Sequence, residues 1–225
     1  MDMQNVIGIL KGAASGVNLV QGVIVSCEAD YTCTVTIGGS STQVAGVKVA
    51  SHVCPVPGAT CWILVNGRDM WVTETLAPAG PAYGSMRKST AQTVAGATWT
   101  ALTWGSRTDT KANGITLGSS GMTVVVPGIY SLNLTAAFED AGDTTWPAWS
   151  IYATIEINGT TVAGSGGPAP GTATFMSRTN VAATAALAVG DVVGANVYQN
   201  SGGNLSTNVS DGYNVLRATW LGPLA

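Results

Sequence analysis

The strongest periodicity along the chain is two. Tyr130, Leu132, Leu134, Ala136 and Phe138 fall on one side of an extended backbone, and Ser131, Asn133 and Thr135 fall on the other. Ile151, Ala153, Ile155 and Ile157 repeat the pattern. The Asn158-Gly159 that follows is a dipeptide favoured in two-residue hairpin turns, where both central residues take positive φ. Nearer the N-terminus, shorter strand-like runs occupy Val20 to Cys27, Thr32 to Ile37, Thr42 to Val49, Thr60 to Asn66 and Met70 to Glu74. Only Met3 to Ala14 reads as helical, and it is short and contains glycine. The expected fold class is all-β.

The pattern breaks at Ala77 to Ser89, APAGPAYGSMRKS, where Pro78, Gly80, Pro81 and Gly84 interrupt any period. All four cysteines and the single histidine precede this break. The expected organisation is therefore a segment 1–19, a small barrel 20–76, a Pro/Gly linker 77–88 and a larger sandwich 89–225. Five short strands suit a small closed or partly open barrel, and the C-terminal part is long enough for eight to ten strands around one core.

Composition narrows the function classes. Charged residues make up 9% of the 225, hydrophobic residues 46%, and there are 29 glycines, so charge-driven disorder is excluded. Gly, Thr, Asn or Asp interrupts every apolar stretch before the roughly 18 residues a membrane-spanning helix needs. Membrane insertion is not expected. Asp2 stands where a secretory signal would carry a basic residue, so the product is expected to stay in the cell that makes it. Net charge is −3 and the nine Lys and Arg are scattered singly, which leaves no basic stripe for nucleic acid. So few charges would leave a lone monomer sticky, which points to an oligomer that covers much of its surface.

Catalytic constellations are lacking in the sequence. His52 lies between Ser51 and Val53 with no acid beside it, and neither a Gly-rich phosphate loop ending in Gly-Lys-Ser/Thr nor a His-Glu-x-x-His motif occurs. Glu139, Asp140 and Asp143 are the best carboxylate cluster, but a compact sandwich hardly supplies the groove a glycosidase needs. No enzymatic activity and no cofactor are expected. Cys27, Cys33, Cys54 and Cys61 are each in phase with apolar neighbours or beside a turn. Their readings are buried thiols, disulfides of open connectivity, or a four-thiolate zinc site, for which the spacing is poor.

Two resemblances add to this. LVQGVIVSC, TCTVTIGG, VAGVKVA, PVPGATCWILV and MWVTETL resemble the oligosaccharide/oligonucleotide-binding-type (OB-type) barrels of bacteriophage tail and baseplate proteins, with Pro55 to Gly58 the most specific element. The resemblance implies an assembly module. MTVVVPGIYSLNLTAAF, IEINGT, LAVGDVVGANVYQNSGG and LRATWLGPL resemble the trimeric jelly-roll domain of complement-C1q-like and tumour-necrosis-factor-like proteins, although Trp220-Leu221-Gly222-Pro223 departs from the usual ending. It implies three copies around a threefold axis, with the loop Asp140 to Ala148, the turn Val189 to Asp191 and the turn Asp211 to Tyr213 meeting at the apex.

That apex would gather Asp140, Asp143, Trp146, Trp149, Asp191, Asp211 and Tyr213. Two readings stand side by side. Exposed rings and carboxylates would contact a host-surface glycan, with calcium at Asp140 and Asp143 as a further option. Alternatively the tryptophans cover the core and the aspartates start turns. Together the resemblances imply a structural virion component: a homotrimeric phage minor tail protein at the tail tip, assembled in the host bacterial cytoplasm. Val6, Ile7, Ile9 and Leu10 would dock it on other tail proteins. A capsid decoration protein or head fibre is the alternative, followed by a free carbohydrate-binding module or a depolymerase.

Overall fold

The computed structural model describes residues 17–77, 80–105, 111–139, 149–169, 177–209 and 213–224. The expected Met3 to Ala14 helix, with Val6, Ile7, Ile9 and Leu10, lies outside them. Among the described residues every regular element is a strand.

The first five strands are β1 (Val17–Cys27), β2 (Thr32–Ile37), β3 (Gln43–Val49), β4 (Thr60–Asn66) and β5 (Asp69–Ala77). They close into a barrel in the order β1-β2-β3-β5-β4, with β3 and β5 parallel and the other pairs antiparallel. Alternation explains the closure. Cys33, Val35 and Ile37 of β2, Cys61, Ile63 and Val65 of β4, and Val72 of β5 all point inward and are fully buried. Val17 to Leu19 belong to β1, opposite Asn66 to Leu64, so part of the expected docking segment is barrel wall.

The remaining strands are β6 (Tyr83–Arg87), β7 (Thr93–Val94), β8 (Thr100–Ala101), β9 (Lys111–Asn113), β10 (Ile115–Leu117) and β11 (Met122–Val124). They continue with β12 (Gly128–Ala137), β13 (Trp149–Ile157), β14 (Thr160–Ala169), β15 (Arg178–Leu187), β16 (Val192–Gln199), β17 (Leu205–Ser206) and β18 (Val215–Gly222). One sheet runs β15-β12-β18-β6-β9; the other runs β10-β11-β16-β13-β14, with β8 paired to β16. Apart from the β13–β14 hairpin, consecutive long strands pass from sheet to sheet, and the two sheets pack face to face as a jelly roll. Tyr130, Leu132, Leu134 and Phe138 from one sheet and Ile151, Ala153, Ile155 and Val197 from the other fill the core. The Asn158-Gly159 turn, with φ of 52° and 77°, joins β13 to β14 as the sequence predicts.

The expected linker is corrected. Tyr83 to Arg87 form a strand against β18, and Gly84 points into the core beside Met122 and Ile115, leaving no room for a side chain. The connection is also packed. Ala82 is fully buried, its N–H donates to Cys54 Sγ at 3.1 Å, and its carbonyl accepts from Trp220 N at 2.8 Å. Buried Val53, Cys54 and Val56 of the barrel's β3–β4 loop belong to one continuous core with Val126 and Trp220 of the jelly roll. The sandwich end holding Gly128, Leu187 and Trp220 is therefore its base. The opposite end, holding Ala137, Trp149, Gln199 and Val215, is its apex.

Candidate functional site

Polar side chains organise the apex from within. Lys88 is 3% exposed, and its Nζ donates to Gln92 Oε1 at 2.8 Å and to Thr103 O at 2.5 Å. Burial pulls its ammonium down to a pKa of about 8. Gln199, fully buried, donates to Val94 O and Gly203 O and accepts from Ser201 N and Oγ. Asn214 exchanges hydrogen bonds with the Ala137 backbone at 2.8 and 3.1 Å. These bonds hold the two-stranded β7–β17 ribbon and the described residues around it on the ends of the two sheets.

Of the seven expected apical residues the structure describes Trp149, Asp191 and Tyr213, and it does not bring these three together. Asp140, Asp143, Trp146 and Asp211, with the calcium option at the first two, lie outside the described residues. Trp149 is 7% exposed and belongs to the core, so it offers no free ring. Tyr213 is half-buried at the apex, beside the Asn214 anchor.

Asp191 is at the other end. β13, β14 and β15 separate the Asp140 loop from the Asp191 turn, and an odd number of antiparallel crossings returns the chain to the base. There Asp191 Oδ1 accepts from Asn158 Nδ2 at 2.8 Å and Oδ2 from Ala188 N at 2.7 Å, while Asn158 Oδ1 accepts from Val192 N at 2.9 Å. Both carboxylate oxygens are thus engaged in tying two turns together.

Other candidate chemistry is equally structural. Cys27, Cys33, Cys54 and Cys61 are all free and buried. Burial raises the thiols of Cys54 and Cys61 to about 11, and contact with Cys27 together with burial pushes Cys33 further up. His52 is exposed, with Nε2 3.1 Å from Thr73 O. Among the described residues no three His, Cys, Asp or Glu converge as metal ligands do.

Three surfaces remain, and the first two are built by outward-facing strand positions. On the barrel, β1 turns Val17, Leu19, Val23 and Val25 to solvent, with Val17 62% and Leu19 54% exposed. Register places Leu19 beside Leu64 and Leu64 beside the exposed Trp71, so apolar side chains run across β1, β4 and β5. On the jelly roll, Asn133, Thr135, Asn180, Ala182, Arg217 and Thr219 line a shallow groove of about 320 Å³ over β15, β12 and β18. On the opposite sheet Trp99, Tyr198 and Tyr152 form a row, with ring centroids 5.4 Å and 6.0 Å apart.

The aromatic row was missed because its members come from distant parts of the chain. One signal was present: Tyr152 and Tyr198 are large rings at outward positions of strands whose inward positions are plainly apolar. The chain matches no protein-family model and no curated protein. Among solved structures, murine APRIL at pH 5.0 is similar over 63% of this chain and 100% of its own, at 16% identity and a TM-score of 0.47. The jelly-roll assignment rests on the strand order described above.

Proposed function

We propose that the chain is a structural virion component, a homotrimeric phage minor tail protein at the tail tip. Its barrel and the segment preceding β1 dock on other tail proteins, and its jelly roll forms a head directed at the host surface. The observation that carries this reading is the barrel's outer wall. Val17, Leu19 and Trp71 in water, continued by half-buried Trp62 and Leu64, make the kind of contiguous apolar face that a partner ordinarily covers. The strand order, with β3 parallel to β5, supports an OB-type assembly barrel. The joint at Ala82 supports a head held firmly on its base.

Self-association finds support on the β15-β12-β18 face, where Asn133, Thr135, Asn180, Ala182 and Thr219 are small or uncharged around one charged side chain, Arg217, and form a seat for a neighbouring copy. The double variant Leu19→Glu/Trp71→Glu tests the docking half. It should keep the wild-type circular dichroism and solution mass, yet be absent from particles grown with it as the sole copy. Particles carrying the wild-type amount of the variant would refute the proposal.

A further inference from the structure

We infer that the row Trp99, Tyr198 and Tyr152 on the outer face of the β8-β16-β13-β14 sheet is a binding platform for an extended saccharide. The inference rests on the reading of the jelly roll as a displayed head only for its biological setting; the binding itself is a property of this face. Trp99 is 50% and Tyr152 41% exposed, and each contacts Tyr198 between them, at interplanar angles of 43° and 63°. A row, unlike a box of rings, suits a ligand that is itself a chain. Pyranose rings present flat arrays of C–H bonds that pack on aromatic faces, and their hydroxyls need hydrogen-bond partners alongside.

Those partners are on the same face. Glu156 follows Tyr152 on β13, and Asn196 precedes Tyr198 on β16. Asn196 Nδ2 donates to Glu156 Oε1, and Thr161 Oγ1 lies 3.5 Å from the same oxygen, which leaves the second carboxylate oxygen and the amide oxygen with accepting capacity. Thr154, between Tyr152 and Glu156 on β13, is 9% exposed and its Oγ1 is buried, so it belongs to the floor of the platform and not to its contact surface. Glycine prepares the surface: a Cβ on Gly166 would come within 2.1 Å of Tyr152 Cδ1, so the tyrosine ring occupies the space a side chain there would fill. No Lys or Arg occurs in β8, β13, β14 or β16, so nothing on these strands would draw a phosphate or nucleic acid.

The test uses the full chain and linear hexasaccharides of glucose, galactose, mannose and N-acetylglucosamine, with saturation-transfer NMR and calorimetry. Solution mass is measured on the same samples. At least one hexasaccharide should receive saturation from aromatic protons, and Trp99→Ala and Tyr198→Ala should each weaken it about tenfold with mass unchanged. Gly166→Ala, which keeps all three aromatic residues but displaces the Tyr152 ring from its position, should weaken it as well. No transfer to any of the four, or equal affinity in Trp99→Ala, would overturn the inference while leaving the tail reading intact. A drop in mass in Trp99→Ala would also overturn it, by making the row a contact between copies. Saccharide binding by a wild-type chain that is monomeric would uphold the platform and remove the trimeric head.

Discussion

Replacing Lys88 by methionine isolates the effect of one buried charge. The methionine keeps most of the stem and deletes an ammonium that is 3% exposed and, among the described residues, faces neutral acceptors, Gln92 Oε1 and the carbonyl and hydroxyl of Thr103. In the unfolded chain this amine holds its proton to about 10.5, whereas in the native state burial releases it near 8. Between those values the unfolded chain carries more protons, so raising the pH favours the native state. The full span is worth roughly 3 kcal/mol at the ordinary conversion of pKa into free energy.

The buried thiols act the other way, because native Cys33, Cys54 and Cys61 hold their protons above the pH at which unfolded thiols ionise. The informative quantity is thus the difference between wild type and Lys88→Met, in which the cysteine contributions cancel. Guanidinium denaturation at pH 7.5 and at pH 10 measures it. Relative to the variant, wild type should gain on the order of 2 to 3 kcal/mol over that interval. Equal pH dependence in the two proteins would refute the reasoning that burial of the Lys88 ammonium lowers its pKa in the native state.

The thiols make a second prediction: under native conditions an aromatic disulfide reagent should label none of the four cysteines quickly, and all four should react in denaturant, whereas fewer than four would reveal a disulfide. Asp191→Ala should cost about 1 to 3 kcal/mol in denaturant titrations, because it strips partners from Asn158 Nδ2 and Ala188 N, and it should leave saccharide binding unchanged. A reduction in binding with stability unaltered would return Asp191 to a ligand role.

Legibility followed the length and purity of each alternating run. Tyr130 to Phe138 and Ile151 to Ile157 have five and four inward apolar residues, and both strands stand where the pattern places them. Tyr83 to Arg87 was illegible because its inward positions are Gly84 and Met86, and the glycine's place in the core is set by Met122 and Ile115 from distant sequence. Fully buried Gln199 likewise looks polar in sequence, and only its closed set of bonds to Val94, Ser201 and Gly203 explains its position.

The position of Asp191 was misread in a different way. The sequence correctly marks Asp191 as a turn residue, but the end of the sandwich at which a turn lies depends on how many strands intervene. Counting β13, β14 and β15 assigns it to the base. The row of Trp99, Tyr152 and Tyr198 needs the pairing of β16 with both β8 and β13, which no local pattern contains.

The central claim, a head built from three copies on a docking barrel, is tested most directly by the solution mass of the full-length protein from light scattering. The account predicts three times 22.7 kDa. A monodisperse species of 22.7 kDa would contradict it, since the apolar barrel wall and the charge-poor sheet face would then stand uncovered in water.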